Sequence, residues 1–189
     1  MPFATKALEH FTNNLKHYDG NYLEIGVFNG DSIASLGDIY PNKKIYGVDP
    51  FIEDGNTSHA TSKGVGEILI HQKESTLNLI KDKSNVVLFE MTSKRFFEEL
   101  NNKKIKELNI NAVFIDGDHH YEHVKNDVEL TLDLIGNKKG LVIFDDTRLE
   151  DVQKAMNDFE QVLGSRITNK EYVDCCYVLY TIKEIHETT

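Results

Sequence analysis

The sequence predicts an α/β domain built on a doubly wound, mostly parallel sheet with a final antiparallel edge strand. Three observations carry that expectation. Short apolar runs alternate with longer amphipathic stretches five times, the order produced by parallel strands joined through right-handed crossover helices. Three of those runs, at 22–26, 112–115 and 141–144, contain or run directly into carboxylates. Buried parallel strands deliver polar groups this way at their carboxyl ends. The last apolar run, 175–182, follows a helix-free approach over 164–174, which fits a strand added antiparallel at one edge.

Taken in order, residues 3–18 repeat Phe3, Ala7, Phe11 and Leu15 at four-residue steps and read as an amphipathic helix, an amino-terminal addition to the domain. Strand one follows over 21–27, then a turn at Phe28–Asn29–Gly30–Asp31–Ser32 and a helix to Ile39. Residues 44–48 form strand two, closed by Asp49–Pro50. The Gly-, Asn-, Thr- and Ser-rich segment 53–66 reads as a mobile loop, expected to fold over a ligand. A helix at 67–81, strand three at 86–89 and a charged helix at 93–108 come next.

Strand four, ending at Ile115, leads through Asp116–Gly117–Asp118–His119–His120 into a helix from Tyr121 with Val124, Val128, Leu132 and Ile135 as its buried stripe. Strand five ends at Phe144 before Asp145–Asp146. Helix 149–163 then buries Val152, Met156, Phe159 and Leu163.

Composition narrows the function. A chain of 189 residues suits one domain over 1–189. The net charge of −10, from 31 acidic and 21 basic residues, argues against nucleic acid as partner. No apolar run approaches the roughly 20 residues of a membrane helix, and residues 1–18 have no apolar block of the signal-peptide kind. Cys175 and Cys176 are adjacent and poorly placed for a structural disulfide. A cytoplasmic protein, with no membrane or nucleic-acid partner, is expected; a homo-oligomer is left open.

Two constellations carry chemistry. In Glu24–Ile25–Gly26–Val27–Phe28–Asn29–Gly30–Asp31–Ser32 the glycines allow a tight turn and close ligand approach at a helix amino end. The same pattern also serves as a plain strand-to-helix turn. Asp49, closing strand two, can accept both hydroxyls of a ribose or act as a turn aspartate before Pro50. Asp116, Asp145 and Asp146, from neighbouring strands, form the second set. Carboxylates that close raise one another's pKa, and a hard divalent cation such as Mg²⁺ relieves the conflict; helix capping is the competing role. Asp118, His119 and His120 lie just beyond, on the loop into the helix, and histidine is the usual proton carrier near neutral pH.

The segments YLEIGVFNGDS, IYGVDPF, FIDGDHHYEHVKNDVEL and GLVIFDD, in this order over residues 22–146, resemble class I S-adenosylmethionine-dependent methyltransferases. More narrowly, they resemble the group with the macrocin and mycinamicin O-methyltransferases and the cephalosporin hydroxylase-like proteins. FIDGDH-Y is the most specific block. The resemblance implies a Rossmann-like sheet and S-adenosyl-L-methionine as cofactor. Glu24, Gly26 and Gly30 would shape its methionine end, with Phe28, Asn29 and Ser32 in the same turn. Asp49 would meet the ribose and Ser93 the adenine, with Asp116 bordering the pocket. Asp116, Asp145 and Asp146 match the metal-ligand positions for Mg²⁺ or Mn²⁺. Asp118 matches an acid that acts as base, with His119 the competing candidate.

The expected function is methylation of a small hydroxylated acceptor. No counterpart of the group's amino-terminal cover for the acceptor is expected here, and the loop 53–66 is expected to stand in for it. A non-catalytic S-adenosyl-ligand-binding protein and a dinucleotide-dependent oxidoreductase are the rivals; Phe28, standing where a dinucleotide fingerprint wants glycine, counts against the second.

Overall fold

The computed structural model describes residues 4–51, 65–106, 108–173 and 176–186. The elements in chain order are α1 (Ala4–Leu15), β1 (Asn21–Ile25), α2 (Asp31–Ile39), β2 (Ile45–Val48), α3 (Val65–Ile80), β3 (Val86–Phe89) and α4 (Ser93–Asn101). They continue with β4 (Ile110–Ile115), α5 (Tyr121–Ile135), β5 (Gly140–Phe144), α6 (Glu150–Leu163), β6 (Ile167–Tyr172) and β7 (Val178–Ile182). Most of the loop expected to act as a lid, 53–64, lies outside the described residues, and its last two residues already belong to α3. Among the described residues no helix is long and apolar enough to cross a membrane.

One sheet holds all the strands, in the order β3-β2-β1-β4-β5-β7-β6. The first five in that order are parallel to their neighbours, and β7 runs antiparallel to β5. The order reverses between β1 and β4, the point at which doubly wound sheets open a ligand crevice beyond the strand carboxyl ends. The final strand is antiparallel as expected, but it enters one place inside the edge. The outermost strand is β6, in the segment read as a helix-free approach. Its sequence ITNKEY hides it: almost every side chain is exposed, so no buried face imposes a period of two. Lys170 and Glu171 also keep the free edge charged, which discourages pairing with other chains.

Alternation along the strands divides the core in two. Leu23, Ile25, Val113, Ile115, Val142 and Phe144 cluster with Phe96, Val124, Val128 and the α6 residues Val152, Met156 and Phe159. Tyr22, Ala112, Phe114, Leu141 and Ile143 cluster on the other side with Leu15, Ile33, Leu36 and Leu179. Each fully buried Leu, Ile or Phe contributes about 1.5–3 kcal/mol. Helix α4 stops at Asn101, short of the expected 108, and the chain leaves it through Lys103 in a left-handed conformation (φ 56°).

Candidate active site

Sheet register, more than any single motif, assembles the site. Ile25 pairs with both Val48 and Ile115, and Ile115 pairs with Phe144. The residues that follow stay in line: Gly26 N–H donates to Val48 O (2.9 Å), Asp116 N–H to Ile25 O (2.9 Å) and Asp145 N–H to Ile115 O (3.0 Å). Asp49 N–H donates to Phe89 O at 3.1 Å. Gly26, Asp49, Asp116 and Asp145 therefore open adjacent loops along one rim. Period two sets Glu24, Asp116 and Asp145 on the same face as Tyr22, Phe114 and Ile143. Gly26 is required at the centre. Its φ is +86°, and an added Cβ would stand 1.9 Å from Asp116 O.

Glu24 is 2% exposed. Its carboxyl accepts the Tyr22 hydroxyl at 2.7 Å and the Ser32 hydroxyl. Burial pushes it up to about 7, against the pull of those hydrogen bonds and with help from the nearby charge of Asp49. Asp49 laces the glycine turn together. Its Oδ2 accepts Val27 N–H (2.9 Å) and Phe28 N–H (3.0 Å), while Oδ1 accepts Phe51 N–H (2.8 Å).

Phe28 is 61% exposed and left-handed (φ 54°). Asn29 donates to Asp31 at 2.9 Å. Gly30 is the α2 N-cap at φ 83°, with Thr76 Cγ2 2.7 Å from the place a Cβ would take. Thr76, fully buried on α3, has its hydroxyl between two acceptors, Gln72 O at 2.9 Å and Phe28 O at 3.2 Å. Sequence reasoning missed it, because a polar residue among the polar positions of an amphipathic helix gives no signal.

The neighbouring strands β4 and β5 bring Asp116 within reach of Asp145 and Asp146. Asp116 and Asp145 hydrogen-bond to each other. Burial, then the charges of Asp145, Glu24 and Asp146, pushes the Asp116 carboxyl well above the usual range. Asp145 is raised as well, chiefly by burial, although the Asp146 N–H (2.5 Å) and the Tyr177 hydroxyl both donate to it. Tyr177, on the approach to β7, was also missed by sequence reasoning. Only the antiparallel return of that strand beside β5 carries it to the rim.

Asp146 is left-handed (φ 49°), and its Oδ2 lies 3.0 Å from His119 Nε2. Donor atoms of Asp116, His119 and Asp146 fall within 4.8 Å of one another. Asp145, hydrogen-bonded to Asp116, stands directly beside this group. Half-buried carboxylates pressed together fit a divalent cation, which would relieve the repulsion that raises Asp116 and Asp145.

The other predicted residues stand nearby. Asp118 Oδ1 accepts the backbone N–H of His120 at 2.8 Å and meets its Nδ1 at 2.7 Å, while Oδ2 meets His123 Nδ1 at 3.2 Å. Burial pushes the Asp118 carboxyl up, but these bonds outweigh it and hold the group below its ordinary value. Ser93 begins α4 and hydrogen-bonds to Asp127. Asp127, 2% exposed, is pushed up to about 7 by burial, with Ser93 opposing and Asp118 adding to the shift.

A family model described as a methyltransferase domain matches residues 23–147, the span that holds this rim. The chain belongs to that methyltransferase-domain family, and its class is that of the S-adenosylmethionine-dependent methyltransferases. An uncharacterized protein of Acanthamoeba polyphaga mimivirus, R132, is 31% identical over 139 residues, which cover 74% of this chain and 57% of that protein. The chain thus spans little more than half of that relative. Many solved structures share the fold, two O-methyltransferase or methyltransferase structures among them. The O-methyltransferase NovP superposes with a TM-score of 0.65 at 16% identity, covering 95% of this chain and 80% of that one. MycE, a methyltransferase from the mycinamycin biosynthetic pathway in complex with Mg and SAH, gives 0.56 at 16% identity, covering 96% and 46%.

Proposed function

We propose that this chain is an O-methyltransferase that transfers the methyl group of S-adenosylmethionine to a small hydroxylated molecule of sugar or natural-product type, with Mg²⁺ (or Mn²⁺) as a second cofactor. One observation carries the reading. Asp116, Asp145 and Asp146 converge beside Glu24 and the glycine turn, and burial with mutual repulsion raises Asp116 and Asp145. NovP is an O-methyltransferase, and MycE was crystallised with Mg and SAH; both support the assignment.

The cofactor's sulfonium already activates the methyl group, so the protein's work is to align the two reactants and prepare the acceptor oxygen. As the new C–O bond forms, the C–S bond breaks and S-adenosylhomocysteine leaves. Glu24, Gly26, Phe28, Asn29, Gly30 and Ser32 would line the methionine end, Asp49 would fix the turn at the ribose, and Ser93 would lie by the adenine.

Asp116, Asp145 and Asp146 would hold the cation; oxygen donors suit Mg²⁺ or Mn²⁺ better than Zn²⁺. When bound, such an ion lowers the pKa of a coordinated hydroxyl. The acceptor's proton would go to His119. Asp118 is the weaker candidate, because its own hydrogen bonds hold its proton affinity down, whereas Asp146 beside His119 Nε2 orients the ring. A cytoplasmic location and the absence of a nucleic-acid partner belong to the same proposal.

The test is release of S-adenosylhomocysteine from purified protein, S-adenosylmethionine and a panel of small phenols, catechols and sugars, with Mg²⁺ or with chelator. Acceptor-dependent release that stops with chelator is expected. Saturable cofactor binding without release from any acceptor would favour a non-catalytic binding protein. Nicotinamide dinucleotide binding in its place would overturn the reading.

A further inference from the structure

Beside the carboxylate rim lies a second ligand set of different chemistry. Asp118, His120 and His123 place one carboxylate and two imidazoles at the start of α5, with donor atoms within 4.8 Å of one another. Both rings turn Nδ1 toward the same carboxylate, His120 at 2.7 Å and His123 at 3.2 Å. The rings sit 6.0 Å apart, nearly edge to face, so neither blocks the approach of an ion to the other.

His120 occupies the α5 N-cap position, yet its side chain makes no cap hydrogen bond. Capping the helix therefore does not account for its orientation. The imidazoles are more than half exposed and the carboxylate 20% exposed; the set is open to solvent on one side and anchored on the other. The anchor is the His120 N–H, which holds Asp118 Oδ1 at 2.8 Å.

We propose that Asp118, His120 and His123 form a binding site for a transition-metal ion of the Zn²⁺ or Co²⁺ class, separate from the oxygen-donor rim. Two imidazoles and one carboxylate with an open fourth position are a ligand set that Zn²⁺ accepts in tetrahedral geometry, and nitrogen donors select against Mg²⁺. The amino end of a helix opposes a cation, and the negative charge of Asp118 offsets that effect. An ion here would tie the loop 116–119 to the first turn of α5, and so steady the segment that carries Asp116 and His119. Binding at this set does not depend on the methyltransferase reading.

The experiment is a Co²⁺ titration of the full chain with excess Mg²⁺ present to occupy the oxygen donors, followed by visible absorption and competed with Zn²⁺. One saturable equivalent with the intense absorption of four-coordinate Co²⁺ is expected. The His120→Ala/His123→Ala double variant, which changes only exposed rings, should lose affinity by at least about tenfold, while Asp146→Asn should keep it. No saturable Co²⁺ binding to the native chain would overturn the proposal. So would binding that survives the double variant, or loss of binding in Asp146→Asn.

Discussion

His119 Nε2 and Asp146 Oδ2 lie 3.0 Å apart, although they belong to loops leaving different strands. Their meeting ties the β4 loop to the β5 loop and makes Asp146 the hinge of the proposed chemistry. Asp146→Asn should lower Mg²⁺ affinity at least about tenfold and slow methyl transfer, while S-adenosylmethionine binding stays within about twofold. Calorimetry with each ligand in turn reads both effects. Asp145→Asn should differ by also raising the melting temperature of the metal-free protein, because it removes the charge next to Asp116 while the amide oxygen can still accept the Asp146 N–H. Equal behaviour of the two variants would remove the distinction.

Asp49 holds three backbone N–H groups, those of Val27, Phe28 and Phe51. Asp49→Ala strands them and should cost about 1.5–3 kcal/mol in cofactor affinity, with a parallel loss of stability. Thermal melting with and without S-adenosylmethionine separates the two. A stable variant with full affinity would show that the turn holds its shape without this carboxylate.

Glu24 and Asp127 give the fold a pH dependence of definite sign. Both carboxyls are raised to about 7, from 4.5 and 3.8, so the folded chain keeps protons that the unfolded chain releases. Their stabilisation is complete below the unfolded values and is lost as pH rises through about 7. Protein free of cofactor and metal should therefore unfold more easily at pH 8 than at pH 5. Glu24→Gln should remove roughly 3 kcal/mol of that difference. Denaturant melts at the two pH values check this; identical slopes for variant and wild type would mean that Glu24 stays ionised throughout.

Gly26 and Gly164 form a contrasting pair. Both have positive φ, at 86° and 49°, but a Cβ at Gly26 strikes Asp116 O at 1.9 Å while one at Gly164 meets nothing within 4 Å. Gly26→Ala should destabilise by more than about 3 kcal/mol, and Gly164→Ala by about 1–3 kcal/mol, the backbone strain alone of a side chain at φ 49°, ψ −120°. Chemical denaturation of both variants measures the gap.

The sequence by itself determined the alternation of strands and helices, the carboxyl-end position of Glu24, Asp49, Asp116, Asp145 and Asp146, and the buried stripes of α5 and α6. These are local properties: strand length, period and the residue that follows an apolar run are written along the chain. Tertiary structure decided which of those groups meet. Thr76 reaches Phe28 across 48 positions, and Tyr177 reaches Asp145 because β7 returns antiparallel beside β5. The sequence placed Asp49 at the end of strand two, and the fold joins its carboxylate to the backbone N–H groups of Val27, Phe28 and Phe51. It also set Asp118 beside His119 as rival bases. The fold engages Asp118 with His120 and His123 and turns His119 toward Asp146. The reason is physical: hydrogen-bond partners and burial depend on sheet order and register, and those are fixed only when the whole core packs.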